Sequence, residues 1–139
     1  MVSTELLELL KRHEGFRSKP YLCSQGYATI GYGRNLDTVG ITEEEAYTML
    51  VHDCYRAVRE LDKYQWFNKL DDVRQDAMIN FMFNVGAGTF RQFKKMIAAL
   101  EVGDYKEAAA QLLDSRYAKQ VGRRANEVAH MLEYGLYLD

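Results

Sequence analysis

Apolar positions recur every three or four residues through most of this chain, the period of an amphipathic helix, and give way to alternation in one short window. Leu6, Leu7 and Leu10 place one apolar face on residues 4–13, which Ser3 or Thr4 caps and Gly15 ends. Pro20 bars helix and starts an extended run, Tyr21-Leu22-Cys23. Ser24-Gln25-Gly26 has turn chemistry, and Tyr27 to Tyr32 returns as a strand rich in aromatic and β-branched residues. Gly31 and Gly33 call for close backbone approach, to another strand or to a ligand. Two strands, at most three, are too little sheet to stand alone.

The helical period then resumes. Thr42 and Glu45 form a capping box that opens an uninterrupted helix over 43–62, roughly 30 Å long at 1.5 Å per residue. A helix over 72–83 follows and breaks at Asn84-Val85-Gly86-Ala87-Gly88; Thr89 caps the next, to about Leu100. Asp104 and Glu107 make a second box, opening a helix through Leu113. Asp114-Ser115 caps a short turn, Val121-Gly122 interrupts, and 123–135 is the last helix. These elements predict an α+β fold in one domain, 1–139. A small N-terminal β-hairpin lobe (13–41) is joined by the long helix to a mostly α-helical C-terminal lobe (63–139), with helix 4–13 packing with the helical lobe.

Composition narrows the picture. Hydrophobic residues make up 47% of the 139, enough for a packed interior, and a net charge of −2 gives no sequence-wide basic field for nucleic acid or anionic lipid. The basic pairs Lys94-Lys95 and Arg123-Arg124 read as solvated helix faces. Two cysteines make no disulfide framework, and Cys54, in a helical stretch, reads as a small buried hydrophobe. Neither a signal peptide nor a run of about 18 apolar residues is present, so synthesis in a cytoplasm without membrane insertion is expected.

The chemistry gathers in residues 13–34, HEGFRSKPYLCSQGYATIGYGR. Glu14 ends the first helix, where a carboxylate opposes the dipole and gains no stability from it. Eight residues separate it from Cys23, and five separate Cys23 from Thr29. Across a tight turn Cys23 and Thr29 can point into a space that Glu14 also reaches. An acid on one side of a bound molecule and a water-positioning pair on the other is the division of labour of an inverting glycosidase. The alternative is a surface carboxylate, a packed thiol and an ordinary strand threonine.

The motif resembles that of the T4-type phage lysozymes, glycoside hydrolase family 24. The likeness starts at His13-Glu14-Gly15-Phe16-Arg17, runs through Tyr21 and Gly26 to Gly33, and continues in Thr42 to Ala46, Ala77 to Gly86, Glu107 to Leu112 and Ser115-Arg116-Tyr117. The resemblance implies a lysozyme-like fold and hydrolysis of the β-1,4 bond between N-acetylmuramic acid and N-acetylglucosamine in peptidoglycan. It implies that Glu14 is the general acid, protonated in an apolar cleft, and that Thr29 holds the attacking water. The middle position is aspartate in the best-known members and Cys23 here, a recognised variant, acting as base or as a thiolate facing the sugar ring.

By position the family's sugar contacts fall on Asn35, Phe83 and Gln111, with Phe93 where serine is common; isolated phenylalanines on helices are ordinarily core. Asn84 and Gln111, polar and near helix ends, suit hydrogen bonds to N-acetyl groups. The resemblance further implies an Arg34–Asp53 ion pair, Arg124 near Glu14, a shortened 33–42 segment, and no metal or cofactor. As partners it implies glycan strands and a separate membrane-lesion protein (a holin) that releases a monomeric endolysin to the wall. A tail-associated or weakly active peptidoglycan-binding module is the alternative use.

Overall fold

The structure, a computed structural model, describes all 139 residues. Three strands and seven α-helices follow in the order α1 (Thr4–Glu14), β1 (Arg17–Leu22), β2 (Ala28–Gly31), β3 (Arg34–Asn35), α2 (Glu43–Leu61), α3 (Asp72–Arg91), α4 (Lys94–Glu101), α5 (Tyr105–Leu113), α6 (Arg116–Val121) and α7 (Arg123–Tyr134), with one 3₁₀ turn at Phe67–Lys69. This is the expected α+β class, a small N-terminal sheet followed by helices. The chain divides into two compact units, 1–48 and 49–139.

In the first unit Ser3, not Thr4, caps α1: its hydroxyl accepts from the Leu6 N–H at 3.1 Å. The sheet is antiparallel in the order β1-β2-β3, with Tyr21 opposite Thr29 and Leu22 opposite Ala28. The first strand starts at Arg17, three residues before Pro20, where the sequence argued for an extended run only from the proline onward. Two facts reconcile them: β1 is an edge strand, and its register with β2 shifts between Arg17 and Tyr21. A proline at an irregular edge costs no ladder hydrogen bond. Between β3 and α2 the chain makes only turns, tied back where Asp37 Oδ2 accepts from the Ala28 N–H at 2.8 Å. The Thr42 box forms as expected, the Glu45 N–H donating to Thr42 Oγ1 at 3.1 Å and the Thr42 N–H to Glu45 Oε1 at 2.9 Å.

The second unit holds the hydrophobic core. Leu61, Met78, Phe81, Phe90, Met96, Leu112, Val128 and Leu132 are its largest fully buried side chains. An aromatic cluster sits within it, with Trp66 stacked on Phe90 and Phe81 edge-on to Phe93 and Tyr117. Two boundaries differ from those expected. The expected break over 84–88 is present as a kink at Gly86, whose φ of 83° and ψ of 164° leave the helical region, but helical structure resumes beyond it and runs to Arg91. Thr89 therefore lies inside α3, and α4 starts after Phe93 with no side-chain cap. Only half of the Asp104–Glu107 box forms: the Glu107 N–H donates to Asp104, while the Glu107 carboxylate accepts from Gln111. Cys54 is half-buried, not a core residue, and lines a surface cavity with Asp76, Phe83 and Tyr137.

Candidate active site

All three candidate catalytic side chains belong to the first unit. Glu14 closes α1, Cys23 follows the last residue of β1, and Thr29 lies in β2 opposite Tyr21. The β1–β2 turn is closed by two backbone hydrogen bonds, Cys23 N–H to the Tyr27 carbonyl (2.9 Å) and Gly26 N–H to the Cys23 carbonyl (2.8 Å). That closure aims turn N–H groups at sulfur. The Tyr27 N–H foremost, then that of Gln25, stabilise the thiolate and lower the Cys23 pKa; desolvation opposes them, and the Thr29 hydroxyl and Gly26 N–H add smaller support. Hydrogen bonds to the charged form favour ionisation, so the thiol is drawn toward the state a base requires.

Thr29 is the one buried polar side chain of the molecule, 4% exposed. Its hydroxyl donates to the Tyr27 carbonyl at 2.9 Å. A hydroxyl has one proton, so it serves that carbonyl or the thiolate, never both. While it serves the carbonyl, its oxygen accepts from an arriving water.

Glu14 lies against Gly33 in the β2–β3 turn: a methyl group there would fall 2.8 Å from Glu14 Oε2. The following residue, Arg34, makes a two-pronged pair with Glu45, at 2.9 and 2.5 Å, and donates to the Gly40 carbonyl at 3.1 Å. This replaces the expected pairing with Asp53, which pairs instead with Arg56, three residues on. The physical reason is local. The capping box already fixes the Glu45 carboxylate at the start of α2, so Arg34 meets an acceptor that is held in place. Hydrogen bonds from Arg34 foremost hold the Glu45 carboxyl down at about 2. Glu45 and Asp37 were missed by sequence reasoning as supports of the turn; the capping box was the available signal for Glu45, and Asp37 had none.

The expected sugar contacts separate. In the first unit Asn35 occupies β3, and its side-chain carbonyl accepts from the N–H groups of Asp37 and Thr38, leaving its amide N–H₂ free. In the second unit Asn84 and Phe93 line one surface cavity of ≈ 510 Å³, and Phe93 and Gln111 line the next, the two sharing Gln92 and Phe93. Tyr117, whose hydroxyl is buried and without a partner, lines the first of these. Phe83 lines neither of these cavities. It is 42% exposed, so it is no core residue, and it lines cavities beside α2. The Arg124 guanidinium donates to Asn80 Oδ1 at 3.1 Å.

Comparison with known proteins follows the same lines. The model of the phage lysozyme family matches residues 11–130. An endolysin of Acyrthosiphon pisum secondary endosymbiont phage 1 is 35% identical over 88% of this chain and 85% of its own length. A probable T4-type lysozyme of Dictyostelium discoideum is 26% identical over 97% and 96% of the two chains. The pre-baseplate central spike protein Gp5 of Enterobacteria phage T4 is 28% identical over 94% of this chain, which spans 28% of that longer protein.

Proposed function

From the premise that the chain belongs to the phage lysozyme family, we propose that it is an endolysin whose Glu14, Cys23 and Thr29 hydrolyse the β-1,4 bond between N-acetylmuramic acid and N-acetylglucosamine with inversion. The observation that carries the assignment of roles is the Cys23 thiol, which replaces the family's aspartate and has the N–H groups of its own turn arranged to stabilise it as a thiolate.

Two proton transfers accompany the cleavage. Glu14 gives its proton to the glycosidic oxygen as the C1–O bond breaks. A water held by Thr29 attacks C1 from the opposite face and loses a proton to the Cys23 thiolate. The enzyme is left with a Glu14 carboxylate and a Cys23 thiol, and solvent exchange returns both to their starting states. Asn35 in the first unit and, independently, Asn84, Phe93 and Gln111 in the second are the proposed sugar contacts; Phe83, which lines neither of the cavities that hold Phe93, is a weaker member of the set. We assign the two units to one catalytic domain.

Clearing of permeabilised bacteria by wild type and Glu14→Gln tests the acid. The variant is expected to lose about a hundredfold or more while keeping its fold. Lysis at the wild-type rate would remove Glu14 from the mechanism. The anomer of the first product, followed by NMR, tests inversion, and net retention would replace the base with a nucleophilic thiolate.

No helix is long and apolar enough to cross a membrane. On the likeness to endolysins, delivery to the wall is assigned to a lesion made by a separate holin, with the enzyme acting as a monomer. The likeness to a central spike protein favours one second reading, a tail-associated lysozyme. Mass spectrometry of purified virions separates the two, since a lysis enzyme is absent from the particle.

A further inference from the structure

We propose that Gly33 is a positioning residue for the catalytic acid: its missing side chain is the space in which the Glu14 carboxyl lies. The inference rests on Glu14 being the acid. An alanine Cβ at position 33 would stand 2.8 Å from Glu14 Oε2, closer than packed atoms approach, and a tight 3.2 Å from its Cδ. One of the two must move, and the surroundings decide which. The Gly33 turn is held on both sides. On one, the Tyr32 ring packs on Phe16 at 5.6 Å between centroids. On the other, Arg34 is fixed by its fork on Glu45 and its bond to the Gly40 carbonyl, while Arg34 and Asn35 pair with β2. Glu14 is a flexible side chain on the last turn of α1. The carboxyl therefore gives way, and a displacement on the order of 1 Å at a reacting group costs about 10²-fold in rate.

Gly33 also has a φ of +85°, so any substitution strains the backbone whatever the space around it. Gly103 supplies the control for that strain. It has a φ of +74° in the α4–α5 turn, where an added methyl group would meet nothing within 4 Å. Gly33→Ala and Gly103→Ala are expected to lower the melting temperature by similar amounts. On solubilised glycan strands only Gly33→Ala is expected to lower kcat, by about 10²-fold, with KM unchanged. Gly33→Asn is the second variant: asparagine tolerates positive φ, so it spares the backbone while keeping a Cβ against Glu14, and it is expected to show the same loss of kcat. Wild-type kcat in either folded Gly33 variant, or a loss confined to KM, overturns the proposal. A lytic Glu14→Gln would instead remove the acid, and the proposal with it.

Discussion

A thiol in the place of a base has to be ionised to work, and at Cys23 the turn supplies the ionisation. A free thiol titrates at about 8.5, and the N–H groups of Tyr27 and Gln25 pull this one down from its ordinary value. If Cys23 is the base, activity rises with pH as the thiol ionises. Cys23→Asp puts an acceptor of ordinary pKa near 4 in the same place. The rising limb of the rate profile is then expected to move to lower pH with activity retained. Cys23→Ser, which offers no ionisable acceptor, is expected to lose about 10²-fold. Iodoacetamide should inactivate the wild type and spare Cys23→Asp. A fully active Cys23→Ser would leave water activation to Thr29 alone. The spacing of Glu14, Cys23 and Thr29 was legible in the sequence because it is a pattern within about fifteen residues. The direction of the Cys23 shift was not, because it depends on where a short turn aims its N–H groups.

At the scale of elements, caps that join near neighbours were legible in part: two formed as read, the Asp104–Glu107 box formed only by half, and Thr89 capped nothing. The Thr42–Glu45 box and the Ser115 cap each join residues three apart, so the sequence carries both partners. Contacts made across the chain were not legible. Arg34 took Glu45 in place of Asp53 because a carboxylate held by its own cap is a better-placed acceptor. That choice has a pH signature. Glu45 titrates at about 2 in the folded protein, below its ordinary 4.5, so the contribution of the pair is fully present above about 4.5 and is lost as pH falls toward 2. A carboxyl ¹³C titration is expected to show a Glu45 midpoint near 2 that returns toward 4.5 in Arg34→Met. An unchanged midpoint in that variant would assign the depression to the cap instead.

Arg74 makes the corresponding tie in the helical unit. Its guanidinium donates to the carbonyls of Leu132 and Glu133, both at 2.7 Å, closing the end of α7 onto α3, and to Asp71 at 2.9 Å. Nothing in a sequence marks a partner 58 residues away. Arg74→Met leaves two carbonyls without a charged donor, at a cost of roughly 2–3 kcal/mol in denaturant unfolding. Arg74→Lys, which cannot fork, should recover only part of it.

For the whole molecule, the sequence predicted one domain of two lobes, and the distribution of burial says where resistance to opening resides. Every side chain of the hydrophobic core lies between Ala57 and Leu132, and in residues 1–48 Thr29 alone is buried. The sheet carrying Cys23 and Thr29 is thus held by ladder hydrogen bonds, the Asp37 tie and the Arg34–Glu45 fork, while α3, α5 and α7 are held by packed side chains. Openings follow buried contact, so amides of β1 and β2 should exchange with protection factors about tenfold or more below those of α3 and α7. The site sits on the less protected element, as expected of a surface that must admit a long polymer. The Arg34 fork is the part of that element most open to test. In Glu45→Gln the β2 and β3 amides should exchange faster still while those of α7 stay unchanged. Equal acceleration in both units would mean that the sheet opens only with the whole chain, and that its hydrogen-bonded clip contributes nothing local.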